Sequence, residues 1–256
     1  MILTLPAHKK YSRIISLVPS QTELLSYLGL ENEVIGITKF CVHPESWFRN
    51  KTRAGGTKNI NFKMIHQLSP DLIIANKEEN VKEQVEELAN DYDVWITDVN
   101  DLGDAIKMIT DIGKLTVKTE KASELILKIE EGFENLKRSS FNKAPVKTAY
   151  FIWKDPYMVA AGDTFINNMM GYCALENVFC QQKRYPEITL DEIKERDVEL
   201  ILLSTEPYPF KAKHCEEMQK RFPKIKIELA DGEMFSWYGS RLLKSVEYFQ
   251  SFLKQV

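Results

Sequence analysis

Short apolar, β-branched runs alternate with segments of helical period along the first hundred residues. Residues 13–18 (RIISLV) form such a run and predict a buried parallel strand that ends at Pro19. Ser20 or Thr22 then offers a helix cap, with Glu23 in the first turn. Leu24, Leu25 and Leu28 give that helix a buried face, and Gly29 ends it. Residues 34–38 read as a second strand and 39–59 as a long loop. A short helix over 62–68 and a strand over 72–75 come next. An amphipathic helix over 81–90 and a strand over 94–97 complete the alternation. A β-α-β order of this kind predicts a parallel sheet with helices on its faces.

The period changes after Asn100. Residues 102–136 are dominated by helix formers and charge and hold no proline. Ala122, Ile126, Ile129, Phe133 and Leu136 recur as one helical stripe, and a break is expected near residues 113–116. Strands are then predicted over 148–153, 157–161, 200–204 and 225–229. Helices are predicted over 164–173, 190–195, 214–221 and 241–254. A faint repeat links the halves. Phe62-Lys63-Met64-Ile65 and Asp71-Leu72-Ile73-Ile74 are echoed 128 residues on by Leu190-Asp191-Glu192-Ile193 and Glu199-Leu200-Ile201-Leu202. The expected organisation is an N-terminal lobe over 1–101, a backbone helix segment over 102–144, and a C-terminal lobe over 145–256. A ligand cleft is expected between the lobes.

Composition narrows the function classes. The 256 residues are 44% hydrophobic and 28% charged, with Lys+Arg 34 against Asp+Glu 37 and a net charge of −3. That balance fits a globular chain and argues against a dedicated nucleic-acid binder. No segment reaches the roughly 20 apolar residues of a membrane span. The opening residues lack a signal-peptide layout, because the apolar run 1–5 is closed by Pro6 and by Lys9–Lys10. Taken literally, this places the protein in the cytoplasm; the other reading is a leader outside the given sequence. Cys41, Cys173, Cys180 and Cys215 show no C-x-x-C spacing, and unpaired thiols are expected.

Candidate chemistry collects in loops beyond the carboxyl ends of strands, where open parallel sheets bind ligands. Those loops hold Phe40, Trp153, Tyr157, Tyr185, Tyr208, Phe235, Trp237 and Tyr238. Such rings suit a large, flat, partly apolar ligand or belong to the core. Arg184 and Arg241 are candidate anchors for carboxylate or phosphate groups. Phosphate-loop, dinucleotide and nucleophile-elbow motifs are absent from the sequence. The histidines are His8, His43, His66 and His214. Cys41 and His43 would share a face of an extended chain and make half of a metal site, without a matching partner elsewhere in the sequence. Asp155 and Glu233 are the candidates for a general base. The chain is expected to be no enzyme, with no cofactor and no resident metal.

Two motifs carry a family resemblance. Residues 13–25 (RIISLVPSQTELL) and the pattern Ile65-x-x-Leu68-x-Pro70-Asp71-Leu72-Ile73-Ile74-Ala75 resemble the substrate-binding proteins of ABC importers for vitamin B12, iron–siderophores and haem. The resemblance spans roughly residues 13–256 and is strongest to the cobalamin-binding branch. It implies an α/β fold of two Rossmann-like lobes with parallel sheets, joined by one long backbone helix. It further implies non-covalent capture of a corrinoid or ferric chelate, an extracytoplasmic location, an ABC permease as partner, and a monomer without membrane insertion. Carried over by motif, Phe40 and Tyr185 keep an aromatic. Thr57 and Asn76 stand where that branch tends to have tryptophan, and Trp153, Phe235 and Trp237 would compensate. Pro19, Arg184, Tyr238 and Arg241 complete the expected ligand set. The family docks on its permease through one acidic residue per lobe. Here the positions are Lys63 and Asp191, so one sign is reversed, and Glu78 or Glu192 would substitute. The alternative is a cytoplasmic binding or sensing protein of the same fold, without a permease.

Overall fold

A computed structural model describes residues 1–4 and 9–254. Pro6 and His8, named above, lie outside the described residues. The chain divides into two compact units. One comprises Met1–Val99, Gly103–Lys128 and Tyr238–Arg241; the other comprises Asn100–Leu102, Ile129–Trp237 and Leu242–Val256.

The N-terminal unit is built from β1 (Ile2–Leu3), β2 (Ile14–Ser16), α1 (Pro19–Tyr27), β3 (Val34–Ile37), α2 (Glu45–Asn50), β4 (Thr52–Arg53), α3 (Phe62–Leu68), β5 (Leu72–Asn76), α4 (Lys82–Leu88), β6 (Val94–Thr97), α5 (Leu102–Leu115) and the start of α6 (Thr119–Ser140). Its sheet runs β1-β6-β5-β2-β3-β4, and every pairing in it is parallel. The central strands are buried, as a parallel sheet covered on both faces requires. Ile15, Leu17, Ile65, Ile73, Val85, Leu88 and Val94 form one apolar cluster on it.

Several sequence expectations change here. Neither Ser20 nor Thr22 caps α1. The cap is Val18, without a side-chain bond, and Pro19 takes the first helical position, where a missing N–H costs nothing. Thr22 lies inside the helix, and its hydroxyl donates back to the Val18 carbonyl at 2.9 Å. Gly29, with φ +79°, does end the helix. The loop expected over 39–59 contains α2 and β4. The helical break expected near residues 113–116 falls at residues 116–118, with Val117 at φ 57°. Gly113 lies within α5, where a Cβ would stand 2.6 Å from the Ala122 side chain, so glycine lets α6 pack closely. The buried stripe of α6 uses Leu125 and leaves Ile126 half-buried.

The C-terminal unit holds the rest of α6, then β7 (Val146–Trp153), β8 (Met158–Val159), α7 (Phe165–Tyr172), β9 (Leu175–Asn177), α8 (Leu190–Glu195), β10 (Leu200–Ser204), α9 (Ala212–Arg221), β11 (Lys226–Ala230), α10 (Gly232–Ser236) and α11 (Leu242–Phe252). The sheet order is β11-β10-β7-β8, with β9 also on β7. All pairings are parallel except β7 with β8. The first part of β7 takes β9 and its last part takes β8, which returns through the turn at residues 154–157. Strand β9 and helix α10 had no predicted counterpart. Strands β5 and β10, and helices α3 and α8, stand 128 residues apart, as the repeat requires.

Candidate functional site

In the N-terminal unit the carboxyl ends of β2, β5 and β6 share a buried polar layer. Asn76 closes β5. Its amide nitrogen donates to the Thr97 carbonyl and hydroxyl, both at 3.1 Å, and its oxygen accepts from the backbone of Glu78 and Glu79. Asn80 accepts from the Asn76 backbone at 2.9 Å and donates to the Thr57 carbonyl at 3.0 Å. Gln21, on α1, donates to the Thr97 hydroxyl. The side-chain bonding capacity of Asn76 is thus spent on loop geometry. Thr57 is buried beside it. Burial pushes the Glu79 carboxyl up; Glu78 adds to the shift and Lys58 opposes it. Burial, with a smaller push from Glu79, also raises Tyr238, whose hydroxyl bonds Ser20 and Gln21.

Pro19 is buried at the start of α1. Arg241 is 4% exposed and donates from Nε to Glu23 Oε2 at 2.8 Å, so this candidate anchor holds its own segment to α1. Phe40 differs from all of these. It is 50% exposed, at the turn after β3, with the Lys39 ammonium 5.1 Å from its ring centroid. Cys41 is buried and bonded to the Thr22 and Thr38 hydroxyls at 3.1 and 3.2 Å. Burial raises its thiol pKa, and both hydroxyl bonds oppose the shift. Among the described residues no group of three or more metal-ligating side chains gathers, so the Cys41–His43 pair is not completed.

In the C-terminal unit the rim forms at the ends of β7 and β10. Trp153 is 39% exposed and meets Tyr208 edge-on, with centroids 5.6 Å apart. Tyr208 also contacts Phe210 and His214. Arg184 sits at φ 58° with its guanidinium 5.9 Å from the Tyr185 ring; Arg184 is exposed and Tyr185 half-buried. Phe235 lies in the core. It is fully buried in α10, against Tyr150, Tyr248, Phe249 and Phe252. Trp237, the C-cap of α10, is also buried. Glu233 lines a cavity of about 590 Å³ with Glu206, Asp231 and Thr205 at the ends of β10 and β11. Asp155 occupies the exposed β7–β8 turn.

Lys63 and Asp191 are both exposed second residues of their helices. Asp191 accepts from Lys194 at 2.9 Å, which with Arg221 holds its carboxyl below the usual range. Glu192 is committed to a capping box with Thr189. Asn80 and Thr97 were absent from the residues chosen on sequence. The spacing of Asn76 and Asn80 at a strand end was the available signal for the first.

Comparison with known proteins gives concordant results. An uncharacterized ABC transporter substrate-binding lipoprotein of Bacillus subtilis (strain 168) is 25% identical over 251 residues, covering 93% of this chain and 79% of its own. A vitamin B12-binding protein of Yersinia pestis (strain Pestoides F) is 23% identical over 205 residues, covering 79% of this chain and 72% of its own. The crystal structure of the periplasmic vitamin B12 binding protein of Vibrio cholerae superposes with a TM-score of 0.83 at 18% identity, over 96% of this chain and 97% of that one. The model of the periplasmic binding protein family matches residues 14–224. The chain belongs to the periplasmic binding protein family, whose members in ABC transporters bind substrates and are not enzymes.

Proposed function

We propose that the protein captures a corrinoid or ferric chelate non-covalently on its strand-end rims and hands it to an ABC permease outside the cytoplasm. The observation that carries this reading is the pair of solvent-facing aromatic sites, Phe40 in one unit and Trp153 with Tyr208 in the other. Soluble domains bury most large rings, and rings left at strand ends offer flat apolar faces to a macrocycle. Tyr185 and Arg184 add a ring and a cation for a polar substituent. Family membership and the vitamin B12-binding relatives support the ligand class. Asp191, exposed on the first turn of α8, is the proposed permease contact in the C-terminal unit.

The test is an absorbance and calorimetric titration with cobinamide, cobalamin, haem and a ferric siderophore. One of them is expected to bind at micromolar concentration or better. Phe40→Ala and Trp153→Ala are each expected to weaken it about tenfold, the scale of an aromatic anchor. No spectral or heat change with any of the four would overturn the reading.

A further inference from the structure

We propose that the N-terminal unit carries, beside Phe40, a pocket for a small organic anion, a carboxylate or phosphate ester, held by Lys39 and Arg53 over the Gly55–Gly56 turn. The pocket encloses about 500 Å³ and is lined by these four residues with Asn59, Ile60, Asn61 and Phe62. That volume is within the range of small-molecule sites, roughly 300–1,000 Å³.

Three observations point to an anion. The first is charge: the lining holds two cations and no acid. Neither Lys39 nor Arg53 has a carboxylate partner among the described residues, whereas Lys51, Lys77 and Lys107 each do. Two unneutralised cations facing one concavity repel each other, and a bound anion relieves that repulsion. The second is placement. The Arg53 guanidinium stacks 4.6 Å from the Phe48 ring centroid and donates to the Lys51 carbonyl at 2.7 Å. Lys39 lies over Phe40. These ring contacts restrict both side chains, so less freedom is lost when a ligand arrives. The third is the floor. Gly55 has φ +102°, and a Cβ there would stand 2.6 Å from the backbone of Asn59 and Asn61. A Cβ on Gly56 would press at 3.3 Å on Lys39 Cε and the Phe40 ring. Glycine at both positions keeps the floor low beneath the cations. Ile60 and Phe62 supply apolar wall, which favours an anion with a flat apolar body over a bare inorganic one.

The site adjoins Phe40 of the chelate reading above, on which Lys39 and Gly56 both border, but it does not rest on that reading: it takes an anion and not a chelate, and its test uses different probes. The full chain, labelled with ¹⁵N, is titrated with phenyl phosphate, benzoate and neutral benzyl alcohol to about 10 mM, a concentration that detects a Kd near 1 mM. Amide shifts at Gly55, Gly56, Asn59 and Asn61 are expected with at least one anion and not with the alcohol. The stronger anion identifies the headgroup. Lys39→Gln and Arg53→Gln are each expected to weaken binding at least about fivefold, as loss of a charged hydrogen bond does. Arg53→Lys, which keeps the charge, is expected to restore part of it. Lys147→Gln, in the other unit, is expected to change nothing. Silent amides with both anions, equal response to the alcohol, or equal weakening by all three glutamine variants would overturn the proposal.

Discussion

Replacing Phe235 by alanine separates a core ring from a ligand ring. The side chain is fully buried, with Phe249 4.8 Å away, Tyr150 5.1 Å, Tyr248 6.1 Å and Phe252 6.4 Å between ring centroids. Truncating a buried phenylalanine costs about 3–5 kcal/mol, the larger values where neighbours cannot collapse into the space. Four rings from β7 and α11 surround this one, and rigid rings close a cavity poorly. The expected loss is therefore about 4 kcal/mol. With a urea slope of about 2 kcal/mol per M, the unfolding midpoint falls by about 2 M. Phe235→Leu, which keeps most of the volume, loses only about 1 kcal/mol. The assay is urea unfolding followed by circular dichroism, beside a native-state chelate titration of the leucine variant. Stability should fall in both variants while chelate affinity of the leucine variant stays within about twofold. A midpoint shift under about 0.5 M for the alanine variant, with chelate affinity of the leucine variant lost, would refute the placement of this ring.

Three further outcomes are expected. Glu23→Ala removes the carboxylate 2.8 Å from Nε of the nearly buried Arg241 and should cost about 3 kcal/mol in urea unfolding, as breaking a buried ion pair does. Gly162→Ala would place a Cβ 1.9 Å from the Cys180 carbonyl oxygen, a backbone atom that cannot step aside, and should cost about 3 kcal/mol or more by the same measurement. His214 accepts from the Lys211 amide at 2.9 Å, and burial, then Lys154 and Lys213, hold its pKa below 6.5. The unfolded chain thus binds the proton more tightly. The contribution is fully present above pH 6.5 and is lost as pH falls from there through the folded pKa, and His214→Gln should flatten that part of a stability–pH curve.

The legible parts of the fold were those with a full period to read. Helices α3 and α8 and strands β6 and β10 fall where alternation and turn residues put them, because each presents one clear apolar face or run. Two kinds of element escaped. Strands β1 and β4 are two residues long and exist by pairing with β6 and β3, which no local pattern records. Helices α2 and α10 are a turn or two each, within aromatic-rich segments that read as loop. Asp231, whose side chain accepts from the Glu233 amide, was the usable mark of α10. The candidate site divides on the same ground. Aromatic identity is visible in sequence, but the side a ring turns to is set by neighbours distant in the chain. Phe40 therefore faces solvent while Phe235 fills the core. Asn76 was chosen by its position in the family motif, and only long-range partners such as Thr97 reveal that its bonds are already taken.

The paired helices 128 residues apart carry opposite charge at the same position, Lys63 on α3 and Asp191 on α8. Duplicated architecture with inverted sign gives the molecule a polarity that its fold alone lacks. A receptor with two identical contact points would be repelled at one of them, so any receptor that engages both helices must itself have unlike ends.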